Sequence, residues 1–172
     1  MVAILPDSGR SYLSKFHSPS WLRRFGFLDD DRPGLLAGAG VVGAVRTVTA
    51  RSTLGEAVSV LRDGRDQSAL PVVLPGRDPR LPTALAELSA LLEPVEVVAA
   101  WERHGSEAPL PAGAPPVTIG TGETAAEALA PLDDVGARHA VVVRDGRLAG
   151  LVTRAELARL RDASAQQPAS TP

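Results

Sequence analysis

Near the C-terminus, the stretch Gly150-Leu-Val-Thr-Arg-Ala-Glu156 decides the fold of this chain. An apolar run, Arg138 to Val143, precedes it and ends in a turn at Asp145-Gly146. Asp-Gly between two apolar runs predicts a β-hairpin. Thr153, followed three residues later by Glu156, predicts a capping box and therefore the start of a helix. The local order is strand, turn, strand, helix, with a hydroxyl and a carboxylate at the last junction.

This junction has the chemistry of a nucleotide site. The first N–H groups of a helix are unpaired and the helix dipole is positive there, which favours a phosphate or another polar group near Thr153. A carboxylate one turn into the helix, Glu156, can accept hydrogen bonds from ribose hydroxyls. Thr-x-x-Glu is also a common way to begin any helix, so a purely structural cap remains the alternative.

Composition narrows the classes of function. The chain has 172 residues, a net charge of −2, no cysteine and three dispersed histidines. These features argue against nucleic-acid binding, disulfides and a metal centre. No apolar run approaches the length of a membrane span and the N-terminus lacks a signal-peptide pattern, so we expect a cytoplasmic protein without membrane contact.

An internal repeat organises the middle of the chain. The capping box at Thr53 and Glu56 recurs at Thr124 and Glu127, an offset of 71 residues that holds without a gap from Arg46 to Val73. Each unit should begin strand, helix, strand. The predicted first strands are 46–48 and 117–119, and the predicted second strands are 69–74 and 138–143.

The second half of unit one permits two interpretations. The repeat predicts a strand over 86–92 and then a helix from Pro94 to Arg103. Leucine and alanine at helical spacing would instead allow a helix over Thr83–Leu92. We favour the strand, because the repeat requires one.

The N-terminal segment carries a family resemblance. Leu5-Pro-Asp-Ser-Gly-Arg-Ser-Tyr-Leu-Ser-Lys15, then Ser20-Trp21-Leu22 and Gly26-Phe27-Leu28, resembles the last segment of the pyridoxal-phosphate domain of cystathionine β-synthase. We also expect a short strand at Met1–Leu5. The catalytic lysine and the phosphate loop have no counterpart in this chain, so we expect no catalysis and no cofactor here; pyridoxal phosphate would belong to a parent enzyme.

The repeat itself resembles a tandem pair of CBS domains, a Bateman module. Leu70-Pro-Val-Val73 is similar to the family's second strand, and Gly150 to Glu156 is similar to its adenosyl-ligand motif. The resemblance implies an α/β fold of two βαββα repeats packed as a pseudo-twofold pair. The expected boundaries are a catalytic-domain remnant at 1–30, a linker at 31–45, a degenerate repeat at 46–104, a linker at 105–115, a second repeat at 116–162 and a disordered tail at 163–172.

The resemblance also implies a ligand site that uses unit two. Gly150 would let the chain approach the ligand, Thr153 and Glu156 would face its ribose, and Gln67 and Ser68 would contact its other end. His139 would line the same region, although a structural histidine is the alternative. In unit one, Glu93 and Glu96 occupy the positions of Thr153 and Glu156, so that cleft should reject phosphorylated nucleotides.

The functional hypothesis is a regulatory module that senses S-adenosylmethionine, AMP or ATP. Its parent would be an enzyme that condenses serine with a sulfur nucleophile, as in cysteine biosynthesis. The alternatives are a stand-alone adenosyl-binding module and a purely structural CBS pair that holds a dimer together. In each case we expect a homodimer through the CBS repeats, and in the first a pyridoxal-phosphate catalytic domain as the regulated partner.

Overall fold

The structure is a computed structural model that describes residues 18–25, 27, 36, 39, 41, 43–64, 67–76 and 81–166. A short helix, α1 (Pro19–Arg24), precedes two units of similar build. Unit one contains β1 (Val48–Thr49), α2 (Leu54–Asp63), β2 (Leu70–Val73), β3 (Leu88–Leu92) and α3 (Pro94–His104). Unit two contains β4 (Thr118–Gly120), α4 (Ala125–Val135), β5 (His139–Arg144), β6 (Arg147–Thr153) and α5 (Arg154–Gln166). The predicted pair of βαββα repeats is confirmed.

Each unit has its own three-stranded sheet with the second strand in the centre. In unit one, β1 is parallel to β2 and β2 is antiparallel to β3. In unit two, β4 is parallel to β5 and β5 is antiparallel to β6. The helices pack on these sheets, and each unit encloses a separate apolar core.

The predicted capping boxes fix where the helices begin. Thr53 accepts a hydrogen bond from the N–H of Glu56 at 3.3 Å, and Thr124 accepts one from the N–H of Glu127 at 3.2 Å. In both boxes the threonine N–H donates to a carboxylate oxygen of the glutamate, so that donors that the helix leaves unpaired are satisfied.

The segment of unit one for which two structures were predicted forms a strand, β3. The alternative prediction of a helix over Thr83–Leu92 was wrong. A single 3₁₀ turn, Leu85–Glu87, comes first, and β3 then pairs with β2 with Leu92 opposite Leu70. The spacing of leucine and alanine fits both structures, so the pairing with β2 decides between them.

The two predicted linkers, 31–45 before unit one and 105–115 between the units, contribute to the packing. Leu36 and Val41 are buried in the core of unit two, and the N–H of Gly43 donates to the carbonyl of Ala149 on β6 at 3.0 Å. The second linker also bonds to a sheet, because the carbonyl of Ala114 accepts a hydrogen bond from the N–H of Leu91 on β3 at 2.9 Å. Where they are described, the predicted linkers are therefore structural parts of the fold.

Two further expectations concern the ends of the chain. Helix α5 continues to Gln166, so the expected disordered tail does not begin at residue 163. The predicted strand at Met1–Leu5 and the motif as far as Lys15 lie outside the described residues. Within the described ranges, no helix combines the length and the apolar character needed to cross a membrane.

Candidate ligand-binding site

A cleft of about 830 Å³ lies where unit two meets unit one. We call it the unit-two cleft, because β6 and α5 supply one of its walls. The opposite wall consists of 43–46, the end of α2 and the start of the segment before β2. Four of the six predicted site residues line it, namely Gly150, Glu156, Gln67 and Ser68.

Thr153 reaches this cleft only through Glu156. The Thr153 hydroxyl donates to Oε2 of Glu156 at 2.7 Å, and the Thr153 N–H donates to the same oxygen at 2.7 Å. The N–H of Glu156 in turn donates to the Thr153 hydroxyl oxygen at 3.1 Å. The two residues thus form the predicted capping box, and the Glu156 carboxylate is held at the cleft wall by it.

Gln67 performs a structural task in the same wall. Its Oε1 accepts from the N–H of Arg46 at 2.9 Å, while its Nε2 donates to the carbonyls of Arg46 and Ala69, both at 2.9 Å. The side chain therefore joins the chain before β1 to the chain before β2. The resemblance predicted Gln67 as a ligand contact and gave no indication of this role.

Two arginines that the sequence analysis did not single out also line the unit-two cleft. Arg159 lies one turn after Glu156 on α5, so the i, i+3 spacing was an available signal. Arg46 pairs with Asp63, with Nη1 and Oδ2 3.2 Å apart. The cleft thus contains two arginines and two carboxylates, a balanced set of charges.

A second cleft of about 590 Å³, the unit-one cleft, is related to the first by the repeat. Residues 43–46 of the first cleft correspond at the offset of 71 to 114–117, and Gln67 and Ser68 correspond to Arg138 and His139. Both sets line their respective clefts.

The prediction that His139 lines the same cleft as Glu156 was wrong. Each cleft joins the last helix of one unit to the second strand of the other, so His139, at the start of β5, faces α3 of unit one. Its Nδ1 lies 3.3 Å from Oε1 of Glu93, and the Arg138 guanidinium lies 3.8 Å from the other oxygen. Two basic side chains of unit two therefore meet the carboxylate that distinguishes the unit-one cleft. Glu96 lines this cleft as well, on the exposed side of α3.

The chemistry of the unit-two cleft is that of binding. Glycine on β6 provides close approach to the backbone, Glu156 provides an acceptor, and Arg159 provides a cation. Among the described residues, histidine, aspartate and glutamate nowhere gather in a group that could hold a metal ion.

Comparison with known proteins agrees with this architecture. The CBS domain family model matches residues 112–162. The CBS domain of a bacterial CNNM/CorC family Mg²⁺ transporter, solved in complex with ATP, has a TM-score of 0.55 and 18% sequence identity, over 73% of this chain and 88% of its own. The CBS-domain containing protein ATU1752 from Agrobacterium tumefaciens has a TM-score of 0.52 and 20% identity, over 74% of this chain and 90% of its own.

A third solved structure, a hemolysin-like protein containing a CBS domain from Oenococcus oeni PSU, has a TM-score of 0.54 and 13% identity, over 70% of this chain and 86% of its own. At these identities the likeness shows the fold alone, and it extends over both units. Nothing in these matches connects the chain to cystathionine β-synthase in particular. Residues 112–162 are thus similar to the CBS domain family, within a fold that the chain shares with solved CBS-domain proteins.

Proposed function

We propose that this chain is a regulatory module that binds an adenosyl ligand, S-adenosylmethionine, AMP or ATP, in the unit-two cleft. The convergence of Gly150, Glu156 and Ser68 on one cleft carries this proposal. Its volume of about 830 Å³ lies within the range typical of small-molecule pockets.

The hydrogen bonds of Glu156 leave room for this role. Both bonds from Thr153 end on Oε2, and within the described chain the other carboxylate oxygen accepts none. That oxygen can accept from a ribose hydroxyl without breaking the helix cap. Arg159 can pair with a phosphate at the same wall. The structure of the transporter CBS domain with ATP supports an adenine nucleotide as the ligand class.

The parent enzyme, the oligomeric state and the cellular location are part of the same proposal. A cystathionine β-synthase-like parent that uses pyridoxal phosphate rests on residues 1–28 alone, through their resemblance to the end of that catalytic domain. We propose further that the chain is not an enzyme by itself, that it forms a homodimer through its CBS repeats, and that it acts in the cytoplasm.

A purely structural CBS pair is the second candidate, and a specific observation favours it. Thr153 and Glu156 satisfy each other, and the Gln67 side chain is used by the backbone. If those bonds are the whole purpose of these residues, the cleft needs no ligand.

Calorimetric titration of the purified chain with S-adenosylmethionine, AMP and ATP distinguishes the two candidates. Ligand binding should also raise the melting temperature, because a ligand that binds only the folded chain stabilises it. We expect saturable binding of one compound that is lost in the Thr153→Ala/Glu156→Ala variant. A folded chain that gives neither heat nor a melting shift with all three would leave the structural function.

A further inference from the structure

Helix α1 approaches the backbone of unit two at Gly120. A Cβ at this position would collide with the carbonyl groups of Arg23 and Arg24, so the close approach requires glycine. A second glycine, Gly146 in the β5–β6 turn, donates its N–H to the carbonyl of Phe25 at 3.3 Å. These two glycines form a seat for the segment that we call the aromatic strap, residues 18–25 together with Phe27.

Aromatic rings give the strap its internal order. The ring centroids of Trp21 and Phe25 are 4.6 Å apart, and those of Trp21 and Phe27 are 6.0 Å apart. Phe27 lies against Gly146, with a ring carbon 3.1 Å from the place where a Cβ would be. Ser18 begins the helix by accepting from the N–H of Trp21 at 3.3 Å.

The attachment of the strap to unit two is nevertheless loose. No residue of α1 is buried, and 52% of Phe27 is exposed. A cavity of about 460 Å³ separates the strap from α4, with Trp21 on one side and Glu127 on the other. Few buried contacts are the mark of an element that opens locally while the rest of a protein stays folded.

A buried carboxylate adds to this picture. Glu123 is only 5% exposed, its Oε2 accepts from the N–H of Gly120 at 2.7 Å, and Arg24 lies 3.7 Å from its other oxygen. Burial raises the pKa of the Glu123 carboxyl, and the bonds to Gly120 and Arg24 counter only part of that effect. The docked strap lies over a charge that water would solvate better.

Unit one has no equivalent seat. At the repeat offset, Gly120 corresponds to Thr49 and Glu123 corresponds to Ser52. The backbone N–H of Thr49 donates to the Ser52 hydroxyl oxygen at 3.3 Å, so the local turn is the same, but Thr49 has the side chain that the close approach excludes. The seat is therefore specific to unit two.

We propose that the aromatic strap is a releasable element of this chain, and that the surface around Gly120, Glu123 and Gly146 is a docking seat for it. The occupant is the aromatic strap of the same chain, a segment with clustered aromatic rings and two arginines that suits a seat of two glycines beside a carboxylate. Release exposes this face of unit two while the two CBS-like units stay folded.

Trp21 fluorescence tests the proposal in the full chain. The chain has two tryptophans, so a Trp101→Phe background leaves Trp21 as the only reporter. In Gly120→Val and in Arg24→Ala/Phe27→Ala, we expect the Trp21 emission to shift to longer wavelength and tryptic cleavage at Arg23, which both variants keep, to accelerate. The unfolding transition followed by circular dichroism should stay close to that of the parent.

Gly113→Ala is the matched control, because a Cβ there would meet Ala90 and the carbonyl of Leu91 in unit one, far from the strap in sequence. It should leave Trp21 unchanged. Should Gly120→Val prevent folding, the strap variant Arg24→Ala/Phe27→Ala decides alone. Equal Trp21 emission in this variant and the parent would overturn docking. If the strap and the two units unfold in one shared transition, the proposal that the strap is released separately is overturned.

Discussion

The hydroxyl of Thr153 donates a 2.7 Å hydrogen bond to Oε2 of Glu156, so the two residues predicted to bind a ribose bind each other. This bond belongs to the capping box that begins α5, and it holds the Glu156 carboxylate at the wall of the unit-two cleft. The helix cap and the proposed ligand contact therefore use the same carboxylate. Mutations can separate these two roles.

The Glu156→Ala substitution should remove the capping box of α5 and also abolish binding of the proposed ligand. We expect about 1 kcal/mol of lost stability, the usual effect of removing a helix cap, together with loss of saturable binding in calorimetry. Glu56→Ala is the matched control, since Glu56 closes the same capping box with Thr53 in unit one and lies outside the unit-two cleft. It should show a similar loss of stability with unchanged binding. Equal affinities in the two variants would contradict a role of Glu156 in the site.

The capping boxes could be predicted because their physics is local. Each needs only a hydroxyl and a carboxylate three residues apart, and all three predicted boxes form. The repeat then positions the helices and the second strands, since the offset of 71 copies one unit onto the other. Segment 83–92 was ambiguous, because its leucines and alanines satisfy two periodicities and only the pairing with β2 selects the strand.

Contacts between distant segments could not be read in this way. The resemblance placed His139 in the cleft of Glu156, whereas the crossed arrangement of the units brings it to Glu93. The approach of α1 to Gly120 joins positions almost a hundred residues apart in sequence, and no local pattern encodes it. Such pairs depend on how the two units and their connections pack, which a single sequence does not specify by periodicity.

Gln67→Leu should destabilise the chain although Gln67 lies in a ligand cleft. The substitution removes three hydrogen bonds to backbone groups of Arg46 and Ala69. With about 1 kcal/mol for each bond and some compensation by water, we expect a loss of about 2 kcal/mol in chemical denaturation. Ser68→Ala, the neighbouring cleft residue, serves as control and should stay close to the parent. A neutral Gln67→Leu variant would show that these bonds contribute nothing to stability.

Arg159→Ala should identify the class of adenosyl ligand. A hydrogen bond to a charged group contributes about 1.5–3 kcal/mol, so a ligand with a phosphate at Arg159 should bind roughly ten- to a hundredfold more weakly. S-adenosylmethionine, which has a sulfonium and a single carboxylate instead of a phosphate, should lose less affinity than AMP. Arg161→Ala is the control, because Arg161 is on the same helix but pairs with Asp162. If both arginine variants weaken the binding of AMP equally, the loss of affinity results from the change in net charge and not from a contact with Arg159.

The buried carboxyl of Glu123 should make stability depend on pH. Its pKa is raised by burial, so the folded chain binds a proton there more readily than the unfolded chain does. The stabilising contribution of the protonated group is complete below the ordinary pKa of glutamate and is lost as the pH rises through the raised value. Relative to Glu123→Gln, the parent should therefore gain stability as the pH falls from neutral. Parallel curves for the two proteins would contradict this.

Glu93→Ser should allow the unit-one cleft to bind AMP. In the parent, the carboxylate of Glu93 lies between Arg138 and His139, the counterparts of Gln67 and Ser68. Serine restores a hydroxyl at the start of α3 and removes the negative charge, so the two basic side chains can pair with a phosphate instead. Titration with AMP should then reveal a second ligand per chain.

The added binding site should depend on the basic side chains with which Glu93 pairs in the parent. Combining Glu93→Ser with Arg138→Ala should remove the second binding event and leave the first, because Arg138 lines only the unit-one cleft. Glu96 stays in place in both variants, so any remaining repulsion of phosphate is the same in each. If Glu93→Ser folds and AMP still binds at only one site, the carboxylate of Glu93 is not what keeps phosphate out of the unit-one cleft.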